Sequence, residues 1–270
     1  MIKQLSALLD KEFDPGFEAR ARFIFQLIHK NKPKYVLDAG CGRGFYSHAI
    51  SFFSFIKKIE SFDINESYLE LAMSHCTDKR IHIQKANIFR LPYPDNYFDF
   101  IIFSEVLEHL SNEKKALQEL RRVLKSGGKI ALTVPNRSFP FLWDPLNWFL
   151  MNFFNTHISK DVWWLAGIWA DHIRLYSVED LLRFLNKQSF KIKSQKNIIH
   201  WSWPFAHFIL YGVGKNIIER LGIYSVSRFE FTTQSMITRI IARIMRFPSS
   251  ILDKRFPTSS SVNICVVLEK

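Results

Sequence analysis

The chain has 270 residues, 47% of them apolar, which is enough for one large domain with a full hydrophobic core. Its formal net charge of +12 predicts an anionic partner, either nucleic acid or an acidic membrane surface, although the charge could also serve only solubility. The three cysteines lie far apart, which argues against a disulfide framework or a cysteine zinc site and predicts reduced thiols in a cytosolic protein.

The N-terminal part of the chain predicts a cytoplasmic protein with an amphipathic helix before the first strand. Its first residues lack the apolar core of a signal peptide, and no stretch of the chain reaches the ~18 uninterrupted apolar residues of a membrane span. Residues 17–30 repeat apolar side chains with helical spacing, which predicts a helix that packs on a sheet. Pro33 ends this helix before the first strand.

Residues 35–50, YVLDAGCGRGFYSHAI, predict a strand, a glycine turn and a helix. A short apolar run ends at Asp38, and Gly40, Gly42 and Gly44 follow at a spacing of two residues. Such a turn lets a ligand lie directly on backbone N–H groups and on the helix N-terminus. An acid before the glycines repels phosphate and favours an ammonium group, and no Lys-Ser/Thr pair follows them. We therefore expect a ligand that carries a positive amine and no phosphate.

Two further polar residues follow predicted strands. Asp63 ends the strand KIESFD, 19 residues after Gly44, where an acid can accept hydrogen bonds from both hydroxyls of a ribose. The alternative is a simple acid at a helix entry. A third strand over residues 81–84 is followed by Asn87, whose amide oxygen can accept a hydrogen bond from a ligand.

Residues 91–110, LPYPDNYFDFIIFSEVLEHL, form the second informative stretch. Two prolines hold a loop extended, and residues 98–103 predict a buried strand. The segment from Ser104 to His109 leaves the C-terminal end of that strand, the edge where open α/β sheets bind ligands. A helix over residues 113–124, a Ser-Gly-Gly turn and a fifth strand over residues 129–134 follow.

Residues 33–136 resemble the class I S-adenosylmethionine-dependent methyltransferases, of the type 11 or UbiE/UbiG-like kind. The resemblance rests on DAGCGRG, on the acid after the second strand, on LPYPDNYFDF with SEVLEH, and on the helix, KSGG, strand and PN that follow. It implies a Rossmann-like α/β fold with a doubly wound, seven-stranded, mostly parallel sheet, and S-adenosylmethionine as cofactor. It also implies that Asp63 binds the ribose and that Asn87 replaces the usual Asp near the adenine amine. The implied cofactor-binding residues are Asp38, Gly40, Cys41, Gly42, Gly44, Asp63, Ile64, Asn87, Ile88 and Ser104.

Residues 137–176 are crowded with Phe, Trp and Leu and predict an insert after the fifth strand. Because Asp144 and Pro145 interrupt this run, it cannot cross a bilayer. It could lie in a membrane interface, wall an apolar pocket as a substrate lid, or complete the core. Residues 177–199 return to the core with a helix capped by Ser177 and a sixth strand.

Residues 200–261 predict a second, basic insert before a final core strand over residues 262–270; residues 1–136 form the cofactor-binding core. Within this insert, SMITRIIARIMRF predicts a cationic amphipathic helix, the form that lies in a membrane interface. The alternative is an ordinary surface helix that packs its isoleucines on the fold. One helical face carries Ile237, Ile240, Ile241, Ile244 and Met245, and another carries Arg239, Arg243 and Arg246.

Methyl transfer from a sulfonium is an in-line displacement, for which the protein supplies position and a desolvated pocket. An oxygen or nitrogen acceptor can also need a general base, and His109 and His172 are the candidate catalytic residues. His109 follows the fourth strand, and His172 enters from the first insert. The sequence shows no His/Cys/Asp cluster that predicts a required metal.

Three functions compete. The first, which we favour, is methylation of a small hydrophobic or lipid-linked acceptor at the inner membrane face, with an anionic membrane surface contacted through residues 236–247. The second is methylation of a soluble metabolite or of RNA; no known RNA-binding module is recognisable, so a nucleic-acid partner is not expected. The third is a non-catalytic cofactor-binding scaffold, which the intact DAGCGRG, Asp63 and SEVLEH motifs argue against.

Overall fold

The computed structural model describes residues 3–162, 165–170, 172–210, 236–256 and 258–270. A seven-stranded sheet organises them, with the strand order β3-β2-β1-β4-β5-β7-β6. The strands are β1 (Tyr35–Ala39), β2 (Lys58–Asp63), β3 (Ile81–Lys85), β4 (Phe98–Ser104), β5 (Leu124–Pro135), β6 (Lys191–Ile198) and β7 (Asn263–Glu269). The helices of the described residues include α1 (Lys3–Asp10), α2 (Pro15–Asn31), α3 (Phe45–Ile50), α4 (Glu66–His75), α5 (Glu113–Val123), α6 (Pro145–Phe154), α7 (Val178–Asn186) and α8 (Met236–Arg255).

The topology confirms the predicted doubly wound, mostly parallel sheet. Strands β1 to β5 pair in parallel, and β7 runs antiparallel between β5 and β6. The chain order reverses between β1 and β4, and this switch point is where open α/β sheets form their ligand crevice. In the register there, Asp38 on β1 lies beside Ser61 on β2 and Ile102 on β4. The ends of these three strands therefore meet at one edge.

Helices cover both faces of the sheet because each has one apolar stripe. On one face, α5 and α7 bury leucines such as Leu120 and Leu185 against the strands. On the other face, α1, α2 and α3 pack around Phe25. The start of α2 is set by Asp14, whose Oδ1 accepts hydrogen bonds from the backbone N–H groups of Gly16 and Phe17. Burial on both faces gives the continuous apolar strands that the sequence shows.

The two predicted inserts pack together around a separate apolar cluster. Phe139 and Trp143 of the first insert contact Ala206 of the second, and Met245 of α8 packs against the same cluster. We call this unit the insert layer: the described residues of 137–176 and 200–210 together with α8. Backbone bonds join its parts, since the N–H of Phe205 donates to the carbonyl of Leu142.

A buried carboxylate holds the first insert in shape. Asp144 caps α6 by accepting from the backbone N–H of Asn147, and its second oxygen accepts from the N–H of Ile168 at 2.9 Å. A Cβ on Gly167 would lie 1.9 Å from that oxygen, so only glycine fits there. Burial raises the pKa of Asp144 above its ordinary value.

One detail of the sequence analysis is wrong for α8. Arg246 was grouped with Arg239 and Arg243 on an outer cationic face. Its guanidinium instead points inward, donating to the carbonyls of Leu9 and Asp10 at 3.0 and 3.1 Å. These carbonyls end α1, where a positive charge is favourable. Among the described residues, no helix combines the length and apolar composition that crossing a bilayer requires.

Candidate functional site

The glycine turn after β1 forms a cradle with one open side. The backbone N–H groups of Gly40 and Cys41 both donate to the carbonyl of Phe62 at 2.9 Å, which ties the turn to β2. Gly40 has a φ of +75°, and a Cβ there would lie 2.6 Å from a methyl group of Val106. At Gly42, where φ is +52°, a Cβ would meet nothing within 4 Å. The turn is therefore packed on one side and offers bare backbone on the other.

Asp63 lies at the end of β2 beside this open side. Its Oδ2 accepts a hydrogen bond from the N–H of Gly42 at 2.8 Å, and its Oδ1 accepts from the N–H of Asn65 at 2.9 Å. A carboxylate has about four acceptor positions, so the two oxygens can still receive hydroxyl groups. The neighbouring Ile64 is 69% exposed and offers an apolar surface suited to a flat ring. This arrangement fits the predicted ribose and adenine contacts.

Asp38 lies underneath the turn and is only 1% exposed. Its Oδ2 accepts from the N–H of Ser47 at 3.1 Å and from the hydroxyl of Ser47 at 2.6 Å. Burial, opposed by these two hydrogen bonds and reinforced by the charge of Asp63, raises the pKa of Asp38 to about 7. Because the side chains of Asp38 and Asp63 flank one turn, a positively charged ligand there would favour the ionised form of Asp38.

The other predicted cofactor residues lie on the same edge with different degrees of access. Asn87 is exposed, and its Oδ1 already accepts from the N–H of Phe89 at 2.9 Å, which leaves one acceptor position for a ligand. Ile88 is buried beneath it. Cys41 is also buried, and burial raises the pKa of its thiol far above the ordinary range. Its thiol is therefore a packing group, and its backbone is what the turn uses.

Ser104, at the end of β4, belongs to a chain of hydroxyl groups that the sequence analysis missed. The Thr133 hydroxyl donates to Glu105 Oε1 at 2.8 Å, and the hydroxyls of Thr133 and Ser104 are also 2.8 Å apart. Since the Thr133 hydrogen points to Glu105, its oxygen accepts from Ser104. Tyr46 extends the chain, with its oxygen 3.4 Å from that of Ser104. The hydrogens of this chain therefore point toward Glu105.

Several contacts fix the position of Glu105, which directly follows β4. It has a φ of +55°, a left-handed conformation that costs a non-glycine residue roughly 1–2 kcal/mol. Its Oε2 accepts from the Asn263 amide at 2.9 Å and lies 3.5 Å from the guanidinium of Arg20. Its side chain is 24% exposed. The SEVLEH motif indicated the position of Glu105 after the fourth strand, whereas no sequence pattern indicated that Arg20 and Asn263 contact it.

The two predicted catalytic histidines meet a third group, Glu108, which is fully buried. The Nε2 atoms of His109 and His172 lie 3.9 and 3.8 Å from Glu108 Oε1. Neither carboxyl oxygen of Glu108 has a hydrogen-bond partner within the described part of the chain. Burial, reinforced by the charge of Glu105, raises the pKa of Glu108 well above its ordinary value.

This cluster bears on two of the sequence predictions. His172 Nδ1 lies 2.5 Å from the carbonyl of Ile168, which assigns the ring hydrogen to Nδ1 and leaves Nε2 as a proton acceptor. One ligand atom from each of Glu108, His109 and His172 lies within 4.8 Å of the others, a donor set that could hold a divalent cation. The expectation that no metal is required therefore stays a prediction, as do the catalytic roles of the histidines.

Comparisons with known proteins agree with this geometry. Residues 37–132 match the family described as "Methyltransferase domain". The chain is 38% identical over 116 residues to an uncharacterized protein of Methanocaldococcus jannaschii, covering 42% of this chain and 46% of that one. It is 28% identical over 182 residues to the mitochondrial ubiquinone biosynthesis O-methyltransferase of Candida albicans, covering 63% of this chain and 53% of that one. The chain thus spans about half the length of the curated relatives it matches.

Solved structures support the fold. A SAM-dependent methyltransferase from Archaeoglobus fulgidus superposes with a TM-score of 0.53 at 17% identity, over 93% of both chains. The [4+2]-cyclase SpnF superposes with a TM-score of 0.57 at 19% identity, over 93% of this chain and 81% of the cyclase. The same fold thus serves another reaction, and the fold alone does not identify the cofactor. The cofactor is assigned from the family match and from the residues of the cradle. Residues 37–132 thus match a methyltransferase domain family, and the sheet around them has the fold of solved S-adenosylmethionine-dependent methyltransferases.

Proposed function

We propose that the protein transfers a methyl group from S-adenosylmethionine to a small hydrophobic or lipid-linked acceptor at a membrane surface. The observation that carries this proposal is the combination of a cradle for a cationic cofactor with an aromatic insert layer at the same sheet edge. The N–H of Ile173 in the first insert donates to the carbonyl of Glu108 at 3.2 Å, in the segment after β4 whose Val106 packs against Gly40 of the cradle. Apolar walls beside a methyl donor suit an apolar acceptor.

Each group at the site has a role in this proposal. When bound, the cofactor supplies a methyl group activated by a sulfonium. The Gly42 backbone and Asp63 hold it, Asp38 favours its positive charge from below, and the insert layer excludes water. An acceptor that carries a hydroxyl or amine must lose a proton, and Nε2 of His172 is a proton acceptor at the edge of the insert layer.

The relatives support an acceptor of this class without identifying it. The Candida albicans relative is by its name an O-methyltransferase of ubiquinone biosynthesis. An oxygen acceptor on a biosynthetic intermediate is therefore the first one to test. The net charge of +12 favours a second candidate, methylation of RNA, over methylation of a neutral soluble metabolite.

The test uses methyl-labelled S-adenosylmethionine. The purified protein is incubated with it and a cell extract, and the products are partitioned between organic solvent and water. Asp63→Ala serves as the matched control, since it removes the carboxylate that we assign to the ribose and leaves the insert layer intact. We expect label in the organic phase with the wild-type protein and much less with the variant.

The position of the label separates the candidates. Organic label that depends on Asp63 supports the lipid-type acceptor and yields it for mass spectrometry. Label only in the aqueous fraction that ribonuclease converts to small fragments would replace this proposal with RNA methylation. Wild-type protein that transfers no label to either phase, while still binding the cofactor in a calorimetric titration, would contradict the proposed activity.

A further inference from the structure

Helix α8 turns its isoleucines away from the protein. Ile240, Ile241 and Ile244 are 45, 49 and 54% exposed, and Phe247 continues the same stripe one turn later. Ala242 on the opposite side is buried, and Met245, which the sequence grouped with the isoleucines, instead packs against the apolar cluster of the insert layer. An ordinary surface helix has the reverse arrangement, with its apolar stripe facing the core. The stripe of α8 is therefore an apolar surface presented to the outside.

Helix α6 presents a second apolar surface. Phe149, Phe153 and Phe154 are all exposed, and Phe149 contacts each of the other two rings. The helix reads PLNWFLMNFF and carries no charged residue. A cluster of exposed aromatic rings of this kind is uncommon on a surface that faces only water and indicates an interaction site.

The segment over residues 200–210 links these two surfaces. The indole N–H of Trp203 donates to the carbonyl of Ile244 on α8 at 2.7 Å. Two residues further on, Phe205 bonds to the backbone of Leu142, just before α6. Trp203 and Phe205 are themselves exposed. The three pieces of the insert layer therefore carry exposed apolar side chains along a connected path.

The charged residues near these exposed apolar side chains indicate which kind of partner would bind there. Asp253 is the one acid in α8, and its Oδ1 accepts from the backbone N–H groups of His200 and Trp201 at 3.1 and 3.0 Å. The exposed charged residues of the helix are basic: Arg243, Lys254 and Arg255. Apolar stripes bordered by basic groups complement a surface that is apolar inside and anionic outside. A second copy of the chain would bring like charges together, which disfavours a dimer through this surface.

We propose that the outer surface of the insert layer, formed by α6, residues 203–209 and α8, docks on a bilayer that contains anionic phospholipids. The inference rests on the proposed function, because the same layer borders the site and would let an apolar acceptor pass from the bilayer without crossing water. It extends the sequence prediction in two ways. The contact includes the aromatic rings of α6, and Arg246 belongs to the protein interior rather than to the membrane contact.

The test is co-sedimentation of the purified protein with vesicles of phosphatidylcholine alone and of phosphatidylcholine with an equal part of phosphatidylglycerol. One variant replaces Ile240, Ile241 and Ile244 with Ser, and a second replaces Phe149, Phe153 and Phe154 with Ser. The matched control replaces Leu71 and Met73, which are exposed apolar residues of α4 outside the insert layer, with Ser. Circular dichroism and cofactor titration check that each variant is folded. Because no acceptor is needed, the result is independent of whether methyl transfer is found.

We expect the wild-type protein to sediment with the anionic vesicles and the control variant to behave like it. Each triple variant should lower the partition coefficient by at least about tenfold, since three apolar side chains no longer enter the interface. Replacing Arg243 with Gln should lower it about fivefold on anionic vesicles at low salt and hardly at all on phosphatidylcholine.

Three results would overturn the proposal. In the first, folded wild-type protein stays in the supernatant with anionic vesicles, or both triple variants bind as tightly as wild type. In the second, sedimentation velocity shows a dimer that the isoleucine variant abolishes, so that a second copy rather than a bilayer covers the stripe. In the third, the triple variant of only one helix keeps full binding, which would restrict the docking surface to the other helix and overturn the two-helix surface stated above.

Discussion

Binding of the cofactor should depend on pH because of the buried carboxyl group of Asp38. Burial raises its pKa to about 7, so this group changes its charge in the physiological range. A ligand with an ammonium and a sulfonium group binds best when Asp38 is ionised. With a pKa of about 7, the ionised fraction is about 0.09 near pH 6 and about 0.76 near pH 7.5. Affinity should therefore rise about eightfold over that range, or about 1.3 kcal/mol.

The stability of the ligand-free protein depends on pH in the opposite direction, because it falls as the pH rises. The folded pKa of Asp38 lies above its unfolded value of 3.8, so its contribution to stability is fully present below about pH 4 and is lost as the pH rises through about 7. A bound cation lowers the pKa again. The ligand should therefore release protons from the protein as it binds near pH 6 to 7.

Isothermal titration calorimetry with S-adenosylmethionine, in buffers of different ionisation enthalpy, measures both the affinity and the proton release. Asp38→Asn is the informative variant, because an amide oxygen can accept the same two hydrogen bonds from Ser47 without carrying a charge. This variant should remove the change of affinity with pH, which we call the pH step, and weaken binding near pH 7.5. Asp144→Asn, a buried carboxyl in the insert layer, should keep the step. An affinity that is flat from about pH 6 to 7.5 in the wild type would refute the reasoning.

Three further predictions concern the site. Asp63→Ala should weaken cofactor binding by about 1–3 kcal/mol, measured by calorimetry, because charge-assisted hydrogen bonds are lost; an unchanged affinity would remove the ribose assignment. Gly40→Ala should lower the free energy of unfolding by about 1–3 kcal/mol in denaturant titrations, since the new methyl group meets Val106 and φ is positive; the double variant with Val106→Ala should recover part of the loss, and no recovery would contradict the steric argument. Glu108→Gln should raise the melting temperature, and the difference from the wild type should grow as the pH rises through the raised pKa of Glu108. Below about pH 4.5 the two melting temperatures should converge. A lower melting temperature for the variant at alkaline pH would mean that the ionised carboxylate has a stabilising partner.

The strands and turns that carry the predicted cofactor residues were predictable because their signals are local, whereas the cofactor contacts themselves stay predictions. Strands β1 and β4 contain short apolar runs, and the glycines and polar residues of the site directly follow predicted strands. That Asp38 binds the cofactor stays a prediction; its carboxyl group is buried because it accepts hydrogen bonds from the hydroxyl and N–H of Ser47. Sequence spacing identifies the end of a strand but does not tell on which side of the turn a side chain lies.

The part of the site around Glu105 depends on contacts between distant parts of the chain. Asn263 reaches Glu105 across 158 residues because β7 inserts antiparallel beside β5. Neither residue has a local pattern that indicates the pairing. Arg246 was misplaced for the same reason, since helical periodicity assigned it to a polar face, whereas its partners are the carbonyls at the end of α1. The helix α1 itself, which is too short for a strong periodic signal, was not predicted.

The inward position of Arg246 also connects the proposed docking surface to the residues around Glu105. Besides the α1 carbonyls, its guanidinium lies 3.5 Å from Glu18 on α2, and one half-turn further along α2 Arg20 contacts Asn263 and Glu105 at the cleft. A shift of α8 on a bilayer would therefore act on the helix that positions the Glu105 carboxylate. Thermodynamic reciprocity then requires that, if vesicles change cofactor affinity by some factor, the cofactor changes vesicle affinity by the same factor. If the proposed docking takes place, Arg246 would let the lipid surface act as an effector of cofactor binding.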